Sequence, residues 1–269
     1  MAQKGFRAWP LVLFVLLAYA IVWLLIGISL LFHAPMMPLL VIGSWAPNLA
    51  AFFVIGVVLR ERGGIQALLA RWGKWKFPAR WYLAALSAPA LAFLSIPIFR
   101  LFGGGMGAAS VGVGPVAMLV VIEIVTGATG EELGWRGFLQ LRLQEALPPL
   151  PASLVVGIVW AFFHLPLWLV PGGPWAALPF WAFGLSCVSS SVVFAWLVNG
   201  SRGSMVIASI FHFLMNVSAG LVGQIGVPAA NLYAIYGILF TAFAAGVGVS
   251  MEVSRVRGAR LKGSAASTG

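Results

Sequence analysis

Two adjacent carboxylates, Glu131 and Glu132, stand in the segment TGATGEELGWRG (residues 126–137), just after an apolar run at 116–125. The chain has only 6 acidic residues, all of them Glu. Carboxylates at the end of a membrane span are costly unless they are paired or used. On a helix, Glu132 and Arg136 are four apart and can pair on one face. Glu131 lies about 100° round and is left to face something else. Two histidines inside other apolar runs are the partners available to it. His164 stands in VWAFFHLP, with Trp160 one turn earlier and Pro166 placed to kink or end the helix just beyond. His212 stands in FHFLMN, with Asn216 one turn on, so two polar groups stack on one face and need a common polar cavity.

One carboxylate and two imidazoles from three helices read as a buried hydrolytic site. Glu131 can take a proton from water as a general base. The N–H groups of His212 and Asn216 suit a developing oxyanion. Glu131, His164 and His212 also fit a three-ligand zinc site with an open position for water, and the sequence does not separate the two. There is no Asp, hence no Ser-His-Asp arrangement, and there is no HExxH, GxSxG or P-loop. The single cysteine, Cys187, rules out an intrachain disulfide and a Cys-based metal cluster. Glu123, eight residues before Glu131 on a similar face, is expected to be a partner to the site residues or a protonated packing group.

The elements that must position these groups are membrane spans. The chain of 269 residues is 61% hydrophobic and 8% charged, where a soluble domain is nearer 25% charged. Apolar runs fall at 9–32, 38–59, 81–101, 115–134, 152–170, 177–198, 204–223 and 229–251. They predict an all-α polytopic membrane bundle of about eight helices, in one domain covering 1–269. The run beginning at residue 9 is too long for a signal-peptide core and reads as a retained first span. Eight spans put both termini, and every Lys and Arg except Arg100, on one side, so both termini are expected to be cytoplasmic. The formal charge of +10 is confined to loops and termini, which fits anionic headgroups and not nucleic acid. Trp72, Trp75, Phe77 and Trp81 interleave with Arg and Lys in the longest cytoplasmic loop and read as a belt on the headgroups. The tail, 263–269, is expected to be disordered. Depth poses a question. The histidines lie roughly 12–15 Å from the cytoplasmic helix ends, and Glu131 only about 5 Å. Either the fourth helix starts nearer the outer face, or the segment 138–147 dips into the membrane. The fourth helix is predicted to continue unbroken past Arg136.

The residues resemble a known family. Glu131-Glu132-x-x-x-Arg136, Trp160-x-x-x-His164 and His212-x-x-x-Asn216 occur in the order seen in the CPBP (Abi) family of CAAX proteases and bacteriocin-processing enzymes. The resemblance covers about 115–220, the expected catalytic core. It implies an all-helical membrane protease whose cavity opens toward the cytoplasm and bilayer. Glu131 and His164 would activate water, His212 and Asn216 would stabilise the oxyanion, and Glu132 and Arg136 would support the site. Members have been described both as metalloproteases and as metal-free glutamate enzymes, so zinc stays open. The family's second motif usually carries Phe where this chain has Trp160, expected to pack beside the site and shape the cavity. The substrate implied is a peptide or protein, with a prenylated CAAX-like tail as one option. The location implied is the plasma (inner) membrane.

Two other function classes fit parts of the pattern. A proton-coupled transporter would use Glu123, Glu131 and the histidines as a relay, but no internal duplication is visible. A non-catalytic scaffold or immunity protein would bind partner helices through small-residue faces such as 186–191.

Overall fold

The computed structural model describes residues 6–173 and 175–266. Lys4 and the last residues of the expected tail, 267–269, lie outside the described residues, as do the side chains of Arg260 and Lys262. The described residues form helices and no strands: α1 (Trp9–Phe32), α2 (Met36–Ser44), α3 (Ala46–Val58), α4 (Gly64–Leu69), α5 (Arg80–Leu101), α6 (Val113–Leu143), α7 (Pro149–Phe163), α8 (Phe180–Gly200), α9 (Met205–Gln224) and α10 (Ala229–Ala266). Seven helices are long and apolar enough to cross a membrane, and the pair α2–α3 makes an eighth span if counted as one. The chain is an integral membrane protein. α8 is the most enclosed span and packs on α7 and α10, while α9 packs on α5 and α6.

The run at 38–59 is not one straight helix. It breaks at Trp45 and bends by 41° between α2 and α3. Pro47 sits in the first turn of α3 and has no N–H to give the helix before it, so the ladder stops and restarts.

α6 differs most from expectation. It runs unbroken past Arg136 to Leu143, nine residues beyond the end drawn from the apolar run. Glu131 thus lies 12 residues, or about 18 Å, from that helix end, level with the histidines. Residues 133–140 are all buried, so of the segment 138–147 only its first three residues lie inside the bundle, while 141–147 are partly or fully exposed. Arg136, sorted above with the cytoplasmic charges, lies within 133–140 and is fully buried.

Two stretches of α6, Ile124–Glu131 and Leu133–Gln140, are wound wide, as π-helix. Such widening is uncommon and often marks a functional site. It leaves backbone groups to be satisfied from outside, and α3 and the break before it supply the partners. Asn48 Nδ2 donates to the Thr129 carbonyl at 2.8 Å, and Asn48 Oδ1 accepts from the Gly134 N–H at 2.9 Å. The Trp45 indole donates to the Val125 carbonyl at 2.9 Å. Gly134 permits this approach: a Cβ there would sit 2.4 Å from the Pro47 carbonyl carbon. At the far end of α6, Arg142 holds Glu61 at 2.7 Å and ties the helix to the loop before α4.

Asn48 is fully buried, so Asn48→Leu strands one backbone donor and one acceptor. We expect a loss of about 1–3 kcal/mol of stability, read as a lowered unfolding midpoint in detergent.

Candidate functional site

The three sequence motifs meet at one cavity. Glu131 comes from α6, Trp160 and His164 from the end of α7, and His212 and Asn216 from α9. Together they line a space of ≈ 390 Å³. α7 ends as Pro166 predicts: Phe163 is the last α-helical residue, His164 caps it, and a 3-10 turn follows at Leu165–Leu169. The chain therefore turns away at His164 and leaves its ring against the cavity.

Glu132 is turned away from the cavity and fully enclosed. Its Oε1 accepts from Arg136 Nη1 at 3.0 Å and pairs with His212 Nδ1 at 2.7 Å. Arg136 is sandwiched: its guanidinium lies 3.7 Å from the Phe194 ring centre and 4.3 Å from that of Trp160. Its second terminal nitrogen reaches Ser191 Oγ at 3.4 Å. Glu132 Oε2 and Arg136 Nε have no hydrogen-bond partner among the described residues. A charge this deep is tolerated through its neighbours: a carboxylate, two aromatic faces and a hydroxyl.

Glu131 behaves differently. Its Oε2 accepts from two indoles, Trp160 at 2.7 Å and Trp135 at 3.0 Å. Both donors sit on one oxygen, which leaves Oε1 available toward the cavity. The Trp160 position is therefore not only packing: a Phe there, usual in the resembled family, could not donate to Glu131.

The tautomers follow from the partners. His164 Nδ1 lies 2.9 Å from the Trp160 carbonyl, which can only accept. The proton is on Nδ1, and Nε2 carries a lone pair. Glu132 is ion-paired with Arg136, so it accepts from His212 Nδ1–H. His212 Nε2 then donates only when the ring is doubly protonated. An imidazole that is neutral and also a donor at Nε2 does not fit this partner set.

Gly127 organises the other wall. A Cβ at this position would lie 2.7 Å from His212 Nε2 and 3.0 Å from Asn216 Nδ2. The two nitrogens thus converge on one point that only glycine leaves open. Asn216 Nδ2 also donates to Glu123 Oε2 at 2.7 Å, which gives Glu123 a partner among the site residues.

Zinc fits less well. Among the described residues no three His, Cys, Asp or Glu side chains form a group that could hold a metal ion. Glu131, His164 and His212 face one cavity but do not form a ligand set there, so no step below runs through a metal.

Sequence reading missed Trp135, Asn48 and Ser191. Trp135 carried a signal, since it is one helical turn from Glu131 and has an N–H. Asn48 carried a weaker one, as a lone amide in an apolar run.

A helical bundle enclosing a carboxylate, two imidazoles and an amide around one cavity defines a polytopic membrane protein with a buried polar cavity. Residues 112–218, which hold all three motifs, match the family model described as type II CAAX prenyl endopeptidase Rce1-like. The chain is also 32% identical over 153 residues to CAAX prenyl protease 2 of Methanococcus maripaludis. That match covers 51% of this chain and 54% of the relative, so the chain spans about half the length of the curated relative it matches.

Replacing Arg136 leaves Glu132 buried without its cation. Arg136→Leu should lower stability by about 3–5 kcal/mol, and Arg136→Lys should not restore it, because an ammonium cannot stack flat between Trp160 and Phe194. Unfolding midpoints of the purified variants in detergent check both.

Proposed function

We propose that the chain is an intramembrane endopeptidase that cleaves a peptide bond near the cytoplasmic face of the plasma (inner) membrane. One observation carries the reading. Glu131 with a free oxygen, His164 with a free Nε2, and the convergent nitrogens of His212 and Asn216 border a single cavity.

Water is held between Glu131 Oε1 and His164 Nε2. Glu131 takes one proton as the oxygen attacks the scissile carbonyl carbon. The carbonyl oxygen becomes an oxyanion, which accepts hydrogen bonds from protonated His212 Nε2 and from Asn216 Nδ2. The proton on Glu131 passes to the leaving amine as the C–N bond breaks, which regenerates the carboxylate. Glu132, held by Arg136, orients His212 through Nδ1–H. Trp135 and Trp160 fix the Glu131 carboxylate without using its reactive oxygen.

The cavity is also lined by apolar side chains, among them Met37, Leu40, Leu119, Ile122 and Phe183. That lining suits aliphatic side chains or an isoprenoid, and supports a prenylated CAAX-like tail as substrate. The sorting of basic residues supports cytoplasmic termini and a site reached from that side.

Cleavage of prenylated and unprenylated C-terminal peptides by the full chain in lipid tests the reading. Glu131→Gln and His164→Ala should each lower kcat by at least about a hundredfold while the variants stay folded. Normal cleavage by both would reject it. Loss of cleavage on chelation, with recovery on adding zinc, would instead give Glu131, His164 and His212 a metal role.

The two histidines are needed in opposite states, His164 unprotonated and His212 doubly protonated. The rate should therefore be bell-shaped against pH, falling in acid as His164 protonates and in alkali as His212 loses its proton. A flat profile across the range in which the protein stays folded would contradict the assignment.

A further inference from the structure

Glu123 is the acidic group that the mechanism above does not use. It lies in α6, two turns before Glu131, on the wall of the same cavity. Among the described residues no cation pairs with it. A carboxylate held inside a span without a counter-charge is expensive and is expected to have work to do. Its contact is specific: Oε2 accepts from Asn216 Nδ2 at 2.7 Å.

We propose that Glu123 is a positioning residue that selects the orientation of the Asn216 amide. This rests on the endopeptidase reading. An amide has two ends of nearly equal size and opposite hydrogen-bonding sense, and its partners alone decide which end faces where. Glu123 Oε2 accepts from the NH2, which holds that end of the amide toward Glu123 and turns Oδ1 away. The same nitrogen lies 3.0 Å from the point beside Gly127, on which His212 Nε2 converges at 2.7 Å. The NH2 has two hydrogens. Glu123 takes one, and the other stays free for an oxyanion at that point. Without Glu123 the amide can rotate by half a turn and put Oδ1 there. An acceptor would then face a developing negative charge, which is the wrong sign for catalysis.

A plain tie between α6 and α9 would predict lost stability and no particular effect on turnover. The experiment compares Glu123→Leu, Asn216→Ala and the double variant Glu123→Leu/Asn216→Ala, all as full chains in lipid. We expect Glu123→Leu to lower kcat about tenfold or more with KM within about twofold. In the Asn216→Ala background, Glu123→Leu should cost nothing further, because the group it positions is gone. Wild-type kcat in Glu123→Leu or full additivity in the double variant would overturn the proposal.

A second measurement does not depend on cleavage. With asparagine labelled with 15N, the Asn216 side-chain amide should show a downfield proton that is lost in Glu123→Leu. An amide signal unmoved by Glu123→Leu overturns the proposal whether or not the chain cleaves peptides. A wild type as inert as Glu131→Gln on every peptide counts against the endopeptidase reading instead.

Discussion

An ionised carboxylate deep in the bundle, Glu132, is the constraint on which the rest depends. Water does not reach it, so the protein must supply what hydration would have supplied. Arg136 gives the charge and His212 gives a donor. Arg136 is then itself a buried ion, and it draws in Trp160, Phe194 and Ser191. One charge thereby links α6 to α7, α8 and α9. Glu131, its neighbour in sequence, is spared that role. It is anchored by two neutral donors on one oxygen, and neither uses the other oxygen.

The wide turns of α6 belong to the same arrangement. A regular helix would satisfy its own backbone and leave α3 nothing to hold. The π-wound stretches instead hand the Thr129 carbonyl and the Gly134 N–H to Asn48, so α3 is fixed to α6 by directional bonds. Gly134 brings the two backbones into contact, which leaves little freedom for sliding. Both glutamates lie between those two anchor points. Their aim is therefore set by a helix that makes no contribution to the chemistry.

Much of this was legible in the sequence, for identifiable reasons. Hydrocarbon demands long apolar runs, and the first run, 9–32, coincides with α1. The spacing of four between Glu132 and Arg136, and between His212 and Asn216, survives the widening of α6 and the ends of α9 because those pairs are local. The break at Trp45 was harder to see: Pro47 signalled it, but proline in an apolar run can also merely kink. The extent of α6 was hidden by composition. Arg136, Gln140 and the glycines lower the hydropathy of a stretch that is enclosed by protein and not by lipid. Hydropathy reports what faces lipid, and residues 133–140 face the bundle. Trp160 was recognised by position and not by chemistry, because the family pattern drew attention to its ring and away from its N–H.

The Glu132–Arg136 pair also bears on how such a site is made. The chain is synthesised from the N-terminus, and Glu132 precedes His212 by 80 residues. At about 5–20 residues per second, that interval is on the order of 4–16 s. Throughout it, α6 must rest in or beside the bilayer without the imidazole that completes its charge network. Arg136 arrives four residues after Glu132, so the carboxylate has a counter-ion before it leaves the ribosome. Asn48 is already in place to receive the widened turns. The helix that carries the reactive groups is thus chaperoned by its own sequence until the last partner is inserted.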